Sequence, residues 1–186
     1  MTPFASTGAS LLLATLPRLG LNSLVVSAAQ AVDALAPLHA ALAAGSGLRV
    51  VRALDGRQAS ELALAQARRS EAPRAALVGA GMGLALALPA LAQAWREQRP
   101  LLVICGRHAP HPGAPAAGLD LPSGRLVEPI TRAHFELRAA EEIVDLLSEA
   151  VRVAASAHGP VVLEMPLAVQ RAAVSDHARA RLEVAA

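Results

Sequence analysis

The chain contains no tyrosine and no lysine, a single cysteine and three aromatic side chains: Trp95, Phe4 and Phe135. Proteins that grip single-stranded nucleic acid stack bases on aromatic faces, and no such platform is encoded. A Walker-type phosphate loop needs a lysine, so that motif is excluded. With Cys105 alone there is no intramolecular disulfide framework, and the usage fits a reducing cytoplasm. At the end of an apolar run it reads as a buried, inert thiol. Charged residues make up only 17%, and net charge is +2. All 17 basic residues are arginines, scattered without a stripe, so the electrostatic case for nucleic acid is weak. No apolar run can span a bilayer: residues 81–95 are too short and Pro89 interrupts them. The patch Leu11-Leu12-Leu13 has no basic segment ahead of it, so no signal peptide is expected. The composition reads as a soluble cytoplasmic protein.

What is present is aliphatic. Hydrophobic residues reach 54% of 186, which excludes disorder and suits one domain burying about 70% of its unfolded surface. Thr7 is placed to cap a first helix ending near Leu19-Gly20. Leu24–Val26 reads as a strand. Residues 29–44 follow as a helix, with Val32, Leu35, Leu38 and Leu42 at helical spacing and Gly45 and Gly47 as its stop. Leu48–Val51 is a second strand, Arg57–Arg69 a helix and Ala75–Val78 a third strand. A glycine turn and an apolar helix lead to a fourth strand, Leu101–Cys105. Residues 107–124, rich in Pro, Gly and Ala, form the one long loop. Phe135–Arg138 is a fifth strand, residues 139–155 an amphipathic helix, and Gly159–Met165 the last strand. One domain over 1–170 and a polar tail over 171–186 are expected. Strands that are apolar without alternation are buried on both faces. Alternation with helices therefore predicts an α/β fold, a doubly wound and mainly parallel open sheet with helices on both faces.

The glycine turn Gly79-Ala-Gly81-Met-Gly83 sits between a strand and a helix. The dinucleotide fingerprint wants its third glycine or alanine where Leu84 stands, and an acidic residue about 20 positions on. Neither is present, so the glycines read as a tight turn that needs close backbone approach. Asp55-Gly-Arg-Gln58 has the spacing of a capping box opening the third helix. His108 and His111 lie close together, but a metal pair at that spacing lacks a third ligand nearby, and no metal site is read. Ser10, Ser27 and Ser60 lack a nucleophile-elbow sequence. Arg68-Arg69, Arg179 and Arg181 read as ordinary surface charge.

Several segments together resemble the pyrimidine-binding, N-terminal domain of thiamine-diphosphate-dependent enzymes of the acetolactate synthase type. They are Thr7-Gly-Ala-Ser-Leu-Leu12 with Gly20, the turn Ala80-Gly81-Met82-Gly83, the run Ala92–Gly106 containing Trp95, Pro129-Ile-Thr-Arg132, and Gly159–Val169. The turn stands where such enzymes carry Ser-Gly-Pro-Gly, and the similarity covers roughly residues 7–170. The resemblance implies that Gly81, Met82 and Gly83 lie against the cofactor. It also implies a departure. The family uses a glutamate, in an Arg-His-Glu run, to hydrogen-bond the cofactor's aminopyrimidine and favour the imino form that generates the reactive ylid. Aligned from the glycine turn, that run falls on Leu54-Asp55-Gly56, with Gly56 in the glutamate's place. Asp55 is one position early and one methylene shorter, and is the candidate cofactor-contacting acid beside Gly56.

The family's Gly-Val-Pro-Gly turn is Val26-Ser-Ala-Ala29 here, and its metal motif, Gly-Asp-Gly followed by Asn, is absent. The expectation is a free-standing pyrimidine-binding subunit of a thiamine-diphosphate-dependent 2-oxoacid decarboxylase, lyase or synthase, with Mg²⁺ and the diphosphate site supplied by a partner chain. Homodimer formation is the other assembly expected. Two alternatives stay open: a catalytically inactive relative serving as a binding or assembly module, and an unrelated α/β small-molecule binder.

Overall fold

Strands that are apolar on both faces satisfy themselves only between two layers of helices, and that is the arrangement seen in the computed structural model. The structure describes residues 6–28, 34–70, 72–108 and 121–184. In chain order, α1 is Gly8–Arg18, β1 Ser23–Ser27, α2 Ala36–Ala43, β2 Arg49–Ala53, α3 Gly56–Arg68 and β3 Arg74–Val78. Then come α4 Met82–Glu97, β4 Leu101–Arg107, α5 Ser123–Val127, β5 Ala133–Glu136, α6 Ile143–Ser156, β6 Val161–Pro166, α7 Leu167–Arg171 and α8 Asp176–Val184. Six strands form one sheet in the order β2-β1-β3-β4-β6-β5, and every pairing is parallel. The doubly wound α/β expectation holds.

The sheet divides two cores. On one face Leu24, Val26, Leu77, Leu102, Ile104 and Leu163 pack with α1, α2, α6 and α8. On the other, Val25, Ala76, Val78, Val103 and Val162 pack with α3 and α4 through Ala59, Ala63, Leu64, Leu84 and Leu91. Consecutive residues of a strand feed opposite faces, which explains why alternation is missing from the sequence. Thr7 caps α1 through a reciprocal pair with Ser10, as its position predicts.

Several boundaries differ from the sequence reading. Of the expected helix over 29–44, residues 29–33 (Val32 among them) lie outside the described residues, and α2 is Ala36–Ala43 with Pro37 in its first turn. The fifth strand is shifted from Phe135–Arg138 to Ala133–Glu136. The Arg138 N–H donates to the Glu142 carboxylate at 2.9 Å, drawing the chain away from the sheet into a 3₁₀ turn over Ala140–Glu142 that precedes α6. Residues 171–186, read as a polar tail, contain α8, whose Ala178 and Leu182 are buried in the first core. Arg181 pairs with Asp145 of α6 across that contact.

The two ends of the fold are stitched together. Gly8 N–H donates to Ala172 O at 2.9 Å, Val174 N–H to Ser6 O at 3.2 Å, and Thr7 bridges Ala173. A Cβ on Gly8 would lie 2.0 Å from Val169 O, so only glycine lets α1 approach this closely.

Candidate functional site

Connections leave β1 and β3 toward opposite faces, α2 joining one core and α4 the other. In an open α/β sheet such a switch point leaves a crevice at the carboxyl ends of the strands, where ligands bind. The glycine turn follows β3 at that end. Gly81 has φ 56° and ψ −105°, a conformation open only to glycine, and it starts α4 with no side-chain cap and no acidic residue in the first turn. The turn is held by Gly83 N–H to Ala80 O at 3.2 Å and Ala85 N–H to Gly81 O at 2.9 Å. Beneath it the buried Cys105 thiol reaches Gly79 O at 3.5 Å, a weak contact consistent with an inert side chain.

The start of α3 meets this turn directly. A Cβ on Gly56 would stand 2.2 Å from the Gly83 carbonyl oxygen. Asp55, Gly56, Gly81, Met82 and Gly83, separated by some 25 residues in sequence, are thereby brought to one place. Asp55 caps α3: its Oδ1 accepts from Gln58 N–H at 2.9 Å, while Gln58 Oε1 accepts from Leu54 N–H at 2.6 Å. The return bond goes one residue further back than in a standard capping box. Ser60 donates to Gly56 O at 2.6 Å and tightens the same turn. Leu54 and Met82, 72% and 52% exposed, flank the contact.

Apart from Ser60 and Cys105, the other residues singled out in the sequence are not brought to this place. Ser10 belongs to the cap of α1, and His108 follows β4, while His111 lies outside the described residues. Among the described residues no group of three His, Cys, Asp or Glu side chains gathers to hold a metal ion. Arg68 takes Glu97 through two hydrogen bonds of 2.7 Å, and Arg179 pairs with Asp176. No helix among the described residues is long and apolar enough to cross a membrane.

One cluster escaped the sequence reading. Glu164 sits inside the apolar run of β6 and is only 1% exposed. Its Oε1 is 2.8 Å from His134 Nε2 of β5, and its Oε2 is 3.4 Å from Arg107 of β4, which also takes Glu136 at 2.6 Å. Burial by itself would raise the Glu164 carboxyl. Hydrogen bonds to His134 and Ser123, with the charges of His134 and Arg107, outweigh that and hold it below the usual carboxylate range. A carboxylate interrupting Val161–Met165 was the available signal, since a charge buried in a central strand demands partners. These residues line a 280 Å³ depression with Arg125 at the carboxyl ends of β4, β6 and β5.

Comparison with known proteins bears on the first of these two places. The family described as "Thiamine pyrophosphate enzyme, N-terminal TPP binding domain" matches residues 6–112, which include β1 to β4 and the whole glycine turn. The chain is 34% identical over 137 residues to the 2-succinyl-5-enolpyruvyl-6-hydroxy-3-cyclohexene-1-carboxylate synthase of Synechocystis sp., covering 74% of this chain and 22% of that protein. It is 26% identical over 172 residues to the acetolactate synthase large subunit of Lactococcus lactis, covering 92% and 29%. Against the acetolactate synthase isozyme 1 large subunit of Escherichia coli it is 28% identical over 137 residues, covering 73% and 24%. The chain thus spans under a third of the length of each relative. With β1 to β4, the switch point between β1 and β3 and the glycine turn inside the matched span, the chain belongs to the N-terminal TPP-binding domain family of thiamine pyrophosphate enzymes.

Proposed function

We propose that this chain supplies the pyrimidine side of a thiamine-diphosphate site and works with a diphosphate-binding chain or domain that completes it. The observation that carries the reading is the convergence of the α3 start on the β3–α4 glycine turn at the switch point. With no side chain on Gly81 or Gly83, a flat ring approaching this cradle would meet backbone. Gly81, Met82 and Gly83 would hold the ring, and Asp55 is the one carboxylate close in sequence to the cradle. Thiamine diphosphate, when bound, supplies the electron sink for breaking or making a bond beside a 2-oxoacid carbonyl, the chemistry of a decarboxylase, lyase or synthase. This chain's part is to orient the ring and exclude water around it.

The proton-handling group fits less well. Asp55 already accepts from Gln58 N–H, and Gly56 carries no side chain. A second reading therefore follows, in which the chain is a non-catalytic relative that keeps the fold as a binding or assembly module. Both readings need a partner surface, and the outer side of α3 and α4 supplies one. Leu62, Ala65, Met82, Pro89 and Ala92 are exposed there and Ala85 and Leu86 half-buried, with Leu54 at one end. Exposed apolar residues on two adjacent helices support the reading of this side as an interface. We propose that it meets either the diphosphate-binding chain or a second copy.

The test is purification of the tagged chain from its own host, with thiamine diphosphate and Mg²⁺ added to half of the material. A stoichiometric partner carrying Gly-Asp-Gly and a downstream Asn, held more tightly with cofactor and lost with Leu86→Glu, supports the split enzyme. A homo-oligomer indifferent to cofactor overturns it and leaves the assembly module.

A further inference from the structure

The opposite end of the sheet presents a second, independent place. Arg49, Ser23 and Arg74 are the first residues of β2, β1 and β3. The register pairs Ser23 with Arg49 and Leu24 with Ala75, so Arg49, Ser23 and Arg74 form one row across three adjacent strands. In a parallel sheet residues of one row share a face, and the two arginines are separated by two strand spacings, about 10 Å. The face is the α3 side, since Val25 and Ala76, two steps along from Ser23 and Arg74, belong to the core beneath α3 and α4. Gln66, Arg69 and Ser70, from the last turn of α3 and the residues just after it, close the other wall. Together with Asn22 they line a 410 Å³ depression.

The lining is rich in donors. None of Arg49, Arg69 and Arg74 has a carboxylate partner among the described residues, unlike Arg57, Arg68, Arg107, Arg152, Arg179 and Arg181. No carboxylate lines the depression among those residues, although Glu71, next to Ser70, lies outside them. The Ser70 hydroxyl accepts from Ala72 N–H, leaving its proton to give away. Ser23 Oγ is buried in the row between the two arginines without a hydrogen-bond partner. Arg69 follows the carboxyl end of α3, where a cation complements the helix dipole. That role is not open to Arg49 or Arg74, which start strands. Three like charges repel one another unless an anion joins them, and guanidinium forks grip phosphate oxygens two at a time.

We propose that the amino ends of β2, β1 and β3 bind a small phosphate-bearing anion, held between the Arg49 and Arg74 forks with Arg69, Ser70 and Asn22 as further donors. The depression is of a size that takes a diphosphate or a nucleotide. It lies across the length of the sheet from the glycine turn, so this site stands or falls apart from the cofactor reading.

The experiment is thermal unfolding of the purified chain with inorganic pyrophosphate, against sodium chloride at matched ionic strength. A saturable rise of about 3–6 °C at ten times Kd is expected, with none from chloride. Arg49→Gln and Arg74→Gln should each weaken binding at least tenfold, and the double variant should abolish it. Arg49→Lys should restore only part, because it keeps the charge and loses the fork. Arg152→Gln, on the far face and paired with Glu149, should change nothing. Circular dichroism checks that each variant folds. No effect beyond chloride, or undiminished binding in the double variant, overturns the site. Binding of a DNA duplex without response to pyrophosphate overturns it also, since that marks diffuse charge rather than a built pocket.

Discussion

Gly56 and Gly83 touch backbone to backbone: a Cβ on Gly56 would lie 2.2 Å from the Gly83 carbonyl oxygen and 3.1 Å from its Cα. The contact fixes how α3 enters beside α4. It also means that no side chain, glutamate included, is accommodated at position 56 unless the glycine turn moves. Gly56→Ala should lower stability by about 1–3 kcal/mol, the range for overpacking against a rigid neighbour. Urea denaturation checks this; a change within error would show that the turn yields readily. Gly56→Glu should fare worse and should not gain thiamine-diphosphate activation.

Asp55 invites a separation of roles. If its carboxylate only caps α3, Asp55→Ala should cost about 1 kcal/mol, and Asp55→Ser should recover most of it. Cofactor affinity of the assembled complex should then be equal in the wild type and Asp55→Ser. A large loss of affinity in Asp55→Ser with stability intact would assign the carboxylate to the ring instead.

Glu164 should be a strong determinant of stability. Glu164→Gln removes the charge that faces His134 and Arg107 inside the sheet, and should cost about 3 kcal/mol. Glu136→Gln, which breaks only the more exposed arm to Arg107, should cost under about 1 kcal/mol. Equal losses in the two variants would refute the idea that burial sets the difference.

Acid should weaken the fold in two stages. Burial and the nearby Arg52 depress the His39 pKa below 6.5, only partly offset by its hydrogen bond to the Ser27 backbone. The unfolded chain therefore takes up this proton first, and stability falls as pH drops below about 6.5. Glu164, also depressed, adds a loss of the same sign below about 4.5. Urea midpoints at pH 8, 6 and 5 should fall in order, and His39→Gln should flatten the upper stage. A midpoint that rises toward pH 5 would contradict the assignment.

Much of this was legible in the chain itself. The strand–turn–helix unit around Gly79–Gly83, the cap at Thr7, the α/β order and the family resemblance all lie in local patterns, and local patterns survive in sequence. What was hidden is what register decides. Glu164, His134 and Arg107 come from strands adjacent only because β6 inserts between β4 and β5, and Arg49, Ser23 and Arg74 form a row only once three strands align. The α8 helix was missed because its two core residues, Ala178 and Leu182, are too few to outweigh the polar residues around them. The end of β5 is followed by a hydrogen bond from the Arg138 N–H to the Glu142 side chain, which no periodicity reports.

The stitching of residues 6–8 to 172–174 bears on synthesis. α1 is seated by residues made long after it, so part of its apolar face, with Leu12, Leu13 and Leu16, has to wait until residues 169–174 have been made. Such long sequence separation slows folding and exposes the nascent chain to aggregation. Stalled or shortened products ending before residue 169 should thus be clients of chaperones and proteases rather than smaller versions of the same domain.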